Sequence, residues 1–183
     1  MQHPLTFIPS DKRKPAFLSL LALTLILFAV FRVLDAPLRT PAAPNGIVSF
    51  ELAGNIKPAA EILGSWDARA QLFAAFGLGL DYLFMPAYAL ALSLGILLAA
   101  GRHAGAFAKV GAWLGWGALI VPLFDGVENF ALYKLLMNSV SSPWPEVAQW
   151  CATVKFALLI AGLSYALIGW LWPQMPLKEG PIP

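Results

Sequence analysis

Residues 70–101 read AQLFAAFGLGLDYLFMPAYALALSLGILLAAG, an apolar run whose single charge is Asp81. About 20 apolar residues wound as a helix cross the roughly 30 Å hydrocarbon core of a bilayer, so this stretch predicts a transmembrane helix. As one helix its 32 residues reach about 48 Å, which obliges the span to tilt, kink or protrude. Pro86 offers a kink, the Gly77-Leu78-Gly79 stretch a soft point before it, and Asp67 a helix N-cap.

Three more runs of this kind flank it. Residues 15–34 start at Pro15, carry no charge until Arg32 and lead into Asp35-Ala36-Pro37. A proline just beyond any cleavage point reads as a retained helix rather than a removed signal. A short Gly101–Gly105 turn opens a span over 106–136, where Lys109 can snorkel. The loop from Asn138 to Trp144 then leads to a span over 145–172, with Pro145 in its first turn and Pro173 as its stop. The expected fold is all-α, a polytopic four-transmembrane-helix bundle with tails at 1–14 and 173–183.

Composition agrees. The chain of 183 residues is 59% hydrophobic and 12% charged, against about 25% charged in soluble domains. Net charge is +2 and the longest basic run is Lys12-Arg13-Lys14, which suits a juxtamembrane anchor and gives nucleic acid no surface. One cysteine, Cys151, excludes an internal disulfide and a Cys-x-x-Cys site; it reads as a packing residue. His3 in the tail and His103 in a turn read as solvated, and they offer no haem or zinc pair within a span. No cofactor and no metal is expected.

With both termini cytoplasmic, the inner side carries a balance of +4 and the outer side −2, in keeping with the positive-inside tendency. Trp66, Trp144 and Trp150 on one side and Trp170 and Trp172 on the other would form the interfacial belts. Between the first two spans, residues 35–45 read as a loose linker. Residues 47–66 alternate Phe50, Leu52, Ile56, Ile62 and Trp66 with Glu51, Asn55, Lys57 and Glu61, an amphipathic segment lying on the outer surface or capping the bundle, with Pro58 starting a short helix. Small residues four apart, Gly101/Gly105, Gly111/Gly115 and Gly162/Ala166, permit close helix approach.

The informative residues are the ionisable ones inside the spans, because each costs about 2.5 to 3.5 kcal/mol on insertion scales unless it meets a partner or water. Asp81, Asp125, Glu128 and Lys155 fall at similar depth in the outer part of the bundle. Asp125, Glu128 and Asn129 stand at i, i+3 and i+4, one helical face that Tyr133 would continue. On the second span Asp81, Met85 and Tyr88 form the matching stripe. With three acids to one base at low dielectric, Lys155 is expected to stay protonated and paired with one or two acids, and at least one of the remaining carboxyls to resist ionisation. As interhelical glue it would be closed and fully paired. Aromatic residues such as Phe84, Trp113, Trp116 and Phe124 read as lipid-facing or core packing before pocket lining.

At Gly79-Leu80-Asp81-Tyr82-Leu83-Phe84 with Tyr88 beyond, and at Asp125-x-x-Glu128-Asn129, the chain resembles an uncharacterised group of small bacterial four-helix inner-membrane proteins. Phe50-Glu51-Leu52-Ala53 and Trp66 fit the same likeness, which covers about residues 50–162. The resemblance implies an inner-membrane bundle and transfers no catalytic residues.

Three functions compete. The first is a non-enzymatic accessory, assembly or small-ligand-binding bundle, with the bilayer, a lipid-like ligand or another membrane protein as partner. The second is an enzyme on a lipid or isoprenoid-like substrate, with Asp125 and Glu128 as acid and base and Lys155 as electrostatic partner. The third is proton or cation transport through the same carboxyls. A pocket reaching the carboxyls separates ligand-handling readings from glue.

Overall fold

A computed structural model describes residues 1–137 and 140–172; the expected stop at Pro173, the tail 173–183, and Asn138 and Ser139 of the loop lie outside the described residues. Among the described residues six helices follow one another: α1 (Ser10–Asp35), α2 (Ile47–Glu51), α3 (Ile56–Ser65), α4 (Ala68–Ala100), α5 (Ala106–Leu136) and α6 (Trp144–Leu171). A single 3₁₀ turn, Ala36–Leu38, follows α1. Four of them, α1, α4, α5 and α6, are long and apolar enough to cross a membrane, and the chain is an integral membrane protein built as an all-α bundle.

The centre of the bundle is α4. Its most apolar stretch is 67% buried, against 28% for α5 and α6 and 6% for α1. It packs on α1, α5 and α6 alike, whereas α1 leans on α4 and on the turn that follows it. The first turns of α4 enter a cap together with the end of α5 and the start of α6, where Ala70, Ala74 and Leu78 join Leu38, Phe50, Ile62, Trp66, Leu132 and Ala148 in one buried cluster. Asp67 caps the helix by accepting from the Ala70 amide at 2.7 Å, and the helix continues through Gly77, Gly79 and Pro86 to Ala100.

Several expectations need correction. The segment 35–45 is no loose linker: Asp35 accepts from Arg39 Nε at 3.0 Å and from the Ile47 amide at 2.8 Å, and Leu38 and Ala43 are buried. Gly46, at φ 59°, makes this closure possible, because a Cβ there would run into the Asp35 carboxylate. Trp66 is not an interfacial belt residue. It is buried edge-on against Phe50, and its indole Nε1 donates to the Leu38 carbonyl at 2.8 Å, so α3 and the 3₁₀ turn are stapled into a cap over α4, α5 and α6.

The N-terminal residues are not a free tail either. Helix α1 starts at Ser10 rather than Pro15, and Arg13 turns back to donate to the Ile8 and Thr6 carbonyls at 2.9 and 3.0 Å. Residues 1–9 thereby fold against the bundle, with Leu5 buried beside Leu94 and Leu97. His3, expected in solvent, is buried where Gly115 lacks a side chain, and any Cβ at that glycine would strike the imidazole ring. His103 is half-buried, with Nε2 2.9 Å from the Gly169 carbonyl. Among the small-residue pairs, Gly111 faces Tyr165 and Gly162 faces Leu92 and Ile96 at close range, while nothing packs on Gly105.

Candidate functional site

Under the cap, α4, α5 and α6 turn their polar residues toward one another. The hub is the Lys155 ammonium, which donates to Asp125 Oδ1 at 2.9 Å and to Glu128 Oε1 at 2.8 Å. Both acids come from one face of α5, as three-residue spacing on a helix requires. Asp125 also accepts from the Tyr88 hydroxyl of α4 at 2.6 Å through its second oxygen. Asn129, one turn on from Asp125, donates through Nδ2 to Asp81 Oδ2 at 2.9 Å and to the Leu78 carbonyl at 3.3 Å. Asp81, Tyr88, Asp125, Glu128, Asn129 and Lys155 therefore meet at one place. Tyr133 does not: its side chain is 49% exposed, because eight residues carry it about 80° around the helix from Asp125.

One member escapes a reading of the sequence. Glu51, at the end of α2, is buried with its Oε2 3.8 Å from the Lys155 ammonium, and that oxygen accepts no hydrogen bond. In the sequence it is one of several charges in an amphipathic segment, and local spacing does not set it apart from Glu61, which is exposed. Only the cap, which drives fully buried Phe50 between the helices, carries its neighbour down to α6. Burial pushes the Glu51 carboxyl above the usual carboxylate range; the Lys155 charge opposes this and the Asp125 charge adds to it.

The acids divide by position. Glu128 is completely buried and lies behind the cluster, serving as counter-ion to Lys155. Asp81, Asp125 and Glu51 instead border a cavity of about 340 Å³ that runs between α1 and α6, with Lys155 and Tyr88 on the same wall. Aromatic rings line the route outward. Phe31 of α1 meets Phe84 edge-on at 5.1 Å, and Phe84 meets Tyr88 in the same way. Phe84 is thus a pocket residue, whereas Trp113 and Trp116 are exposed on the bundle surface. At the rim stand exposed Phe28 and half-buried Phe156 and Leu159.

The arrangement is a buried ion-pair core, in which Glu128 Oε2 and Glu51 Oε2 accept no hydrogen bond, with an open apolar vestibule. The core fixes helix register, because Lys155 can reach both acids of α5 only in one rotation of α6. The vestibule is a cavity of about 340 Å³ with apolar walls that ends at carboxylates. Among the described residues no group of His, Cys, Asp and Glu is arranged to hold a metal ion. Fold and site together define a polytopic membrane protein with a buried polar cluster under an ordered cap. Comparison with protein-family models, curated proteins and solved structures returns no match to this chain.

Proposed function

We propose that the protein is a small-ligand-binding bundle of the bacterial inner membrane, which takes a lipid-like amphiphile from the bilayer through the opening between α1 and α6. The carrying observation is the cavity of about 340 Å³ that reaches Asp81, Asp125 and Lys155 from the apolar side. Its size falls within the roughly 300 to 1,000 Å³ of small-molecule sites, and it combines apolar walls with a few convergent polar groups. A cluster acting only as glue has no use for such an opening. In the proposed orientation both termini are cytoplasmic, so the cap and the cluster sit toward the outer leaflet.

Acid–base catalysis by Asp125 and Glu128 has less support, since both carboxylates are engaged by Lys155 and Glu128 does not border the cavity. A proton relay has less still. Beyond Tyr88 the interior is packed by Ala89 and Val121, and the next buried polar groups among the described residues, Ser93 and His3, stand apart from the cluster.

Gly77 provides the test. It borders the cavity, and an added Cβ meets nothing within 4 Å, so Gly77→Leu fills the space while gaining up to about 1 kcal/mol of helix propensity. The wild-type protein, purified in mild detergent, is expected to carry a bound lipid-like molecule in native mass spectra, and Gly77→Leu to lose it with helicity unchanged by circular dichroism. Equal retention by the two proteins rejects the reading.

A further inference from the structure

Resting on that reading, we propose that the polar end of the ligand is a cation, a primary ammonium head group seated between Asp81 and Glu51. The cavity wall has acceptors in excess of donors. Lys155 spends its short hydrogen bonds on Asp125 and Glu128, and Tyr88 spends its hydroxyl on Asp125. Asn129 gives Asp81 a single bond, to Oδ2. What remains is Asp81 Oδ1, with no donor among the described residues, and the carboxyl of Glu51, a residue that borders the cavity and whose buried Oε2 accepts no hydrogen bond. These come from opposite sides of the space, α4 below and the cap helix α2 above.

An ammonium supplies what both lack: three N–H donors and a positive charge, at a wall where acceptors outnumber donors. A carboxylate or phosphate head would meet like charge instead. Arg39 is paired with Asp35, and Arg32, the other cation bordering the cavity, is exposed and so hydrated rather than held against the acids. The walls agree with this choice. Phe31, Phe84 and Tyr88 form a continuous edge-to-face run along the approach, and aromatic faces attract ammonium groups as well as alkyl chains. The same wall already holds one such pair, the Lys155 ammonium 5.0 Å from the Phe156 ring centre.

Three probes that share a twelve-carbon chain separate head-group chemistry from chain burial: dodecylamine hydrochloride, dodecanol and sodium dodecanoate. Each is titrated into the full chain in dodecyl maltoside, with occupancy read by native mass spectrometry and the unfolding temperature read in parallel. Dodecylamine is expected to bind about tenfold or more tighter than either other probe, and Asp81→Asn and Glu51→Gln each to weaken it about tenfold while moving dodecanol little. Dodecanol or dodecanoate binding as tightly as the amine overturns the cation assignment and leaves the cavity reading standing. No binding of any probe, or probe binding that survives Gly77→Leu, removes both. The three-probe comparison needs only the wild-type protein, so a variant that fails to fold does not spare the proposal.

Discussion

At the scale of single residues, Lys155 is the side chain on which the site depends. Its removal leaves Asp125, Glu128 and Glu51 without their cation, whereas removing the two α5 acids with it leaves Glu51 alone unpaired. Lys155→Met is therefore expected to cost about 3 to 5 kcal/mol, and Lys155→Met combined with Asp125→Asn and Glu128→Gln to recover most of that loss. Unfolding in mixed micelles, followed by circular dichroism, measures both; equal losses in the single and triple variants would mean that the ion pairs do not hold the bundle. Much of this cluster is legible in the sequence, because charges in apolar spans are costly and three-residue spacing fixes their common face. Tyr133 marks where that reading drifts, since helical phase is lost over two turns. Glu51 marks where it stops, because its place depends on how a five-residue helix folds back onto a span remote in sequence.

Among the elements, the N-terminal segment departs furthest from a reading of the sequence. Residues 1–9 carry no periodic pattern, and they dock because Gly115 leaves room for one imidazole and Arg13 ties the chain back on itself. Burial holds the His3 imidazole down at about 4, with the Ser93 carbonyl opposing and the Arg13 charge assisting. Released from the bundle, the ring takes up a proton near its ordinary value of about 6.5. Above that pH both forms are neutral and docking is undiminished; between about 6.5 and 4 only the released form binds the proton, so falling pH favours release. Hydrogen exchange of residues 1–9, corrected for its intrinsic pH dependence, is expected to rise across that window in the wild type and to stay level in His3→Gln. A level wild-type profile would show that the imidazole does not govern docking.

Over the whole molecule, the number and limits of the long helices among the described residues follow from hydropathy to within a few residues, except at the start of α1. The order of packing does not follow, because every span is similarly apolar and nothing in the composition says which one sits in the middle. The cap was legible as an amphipathic stretch and illegible as a folded layer, since its closure rests on particular hydrogen bonds at Asp35 and Trp66. The proposed orientation can be checked with engineered thiols in a Cys151→Ala background. Gly64→Cys on α3 is expected to react with a membrane-impermeant maleimide in intact cells, and Ala104→Cys in the opposite turn only after lysis. The reverse pattern would place the cap in the cytoplasm.

Because α1 rests on α4 with its other flanks bare, the lipids themselves complete the wall of the protein along that side. A thinner bilayer favours the leaning of a helix of fixed hydrophobic length, and the least buried of the four long helices is the one bordering the vestibule. On the proposed reading, the width of the entrance is expected to vary with acyl-chain length, so that the same polypeptide would present a different doorway in membranes of different thickness.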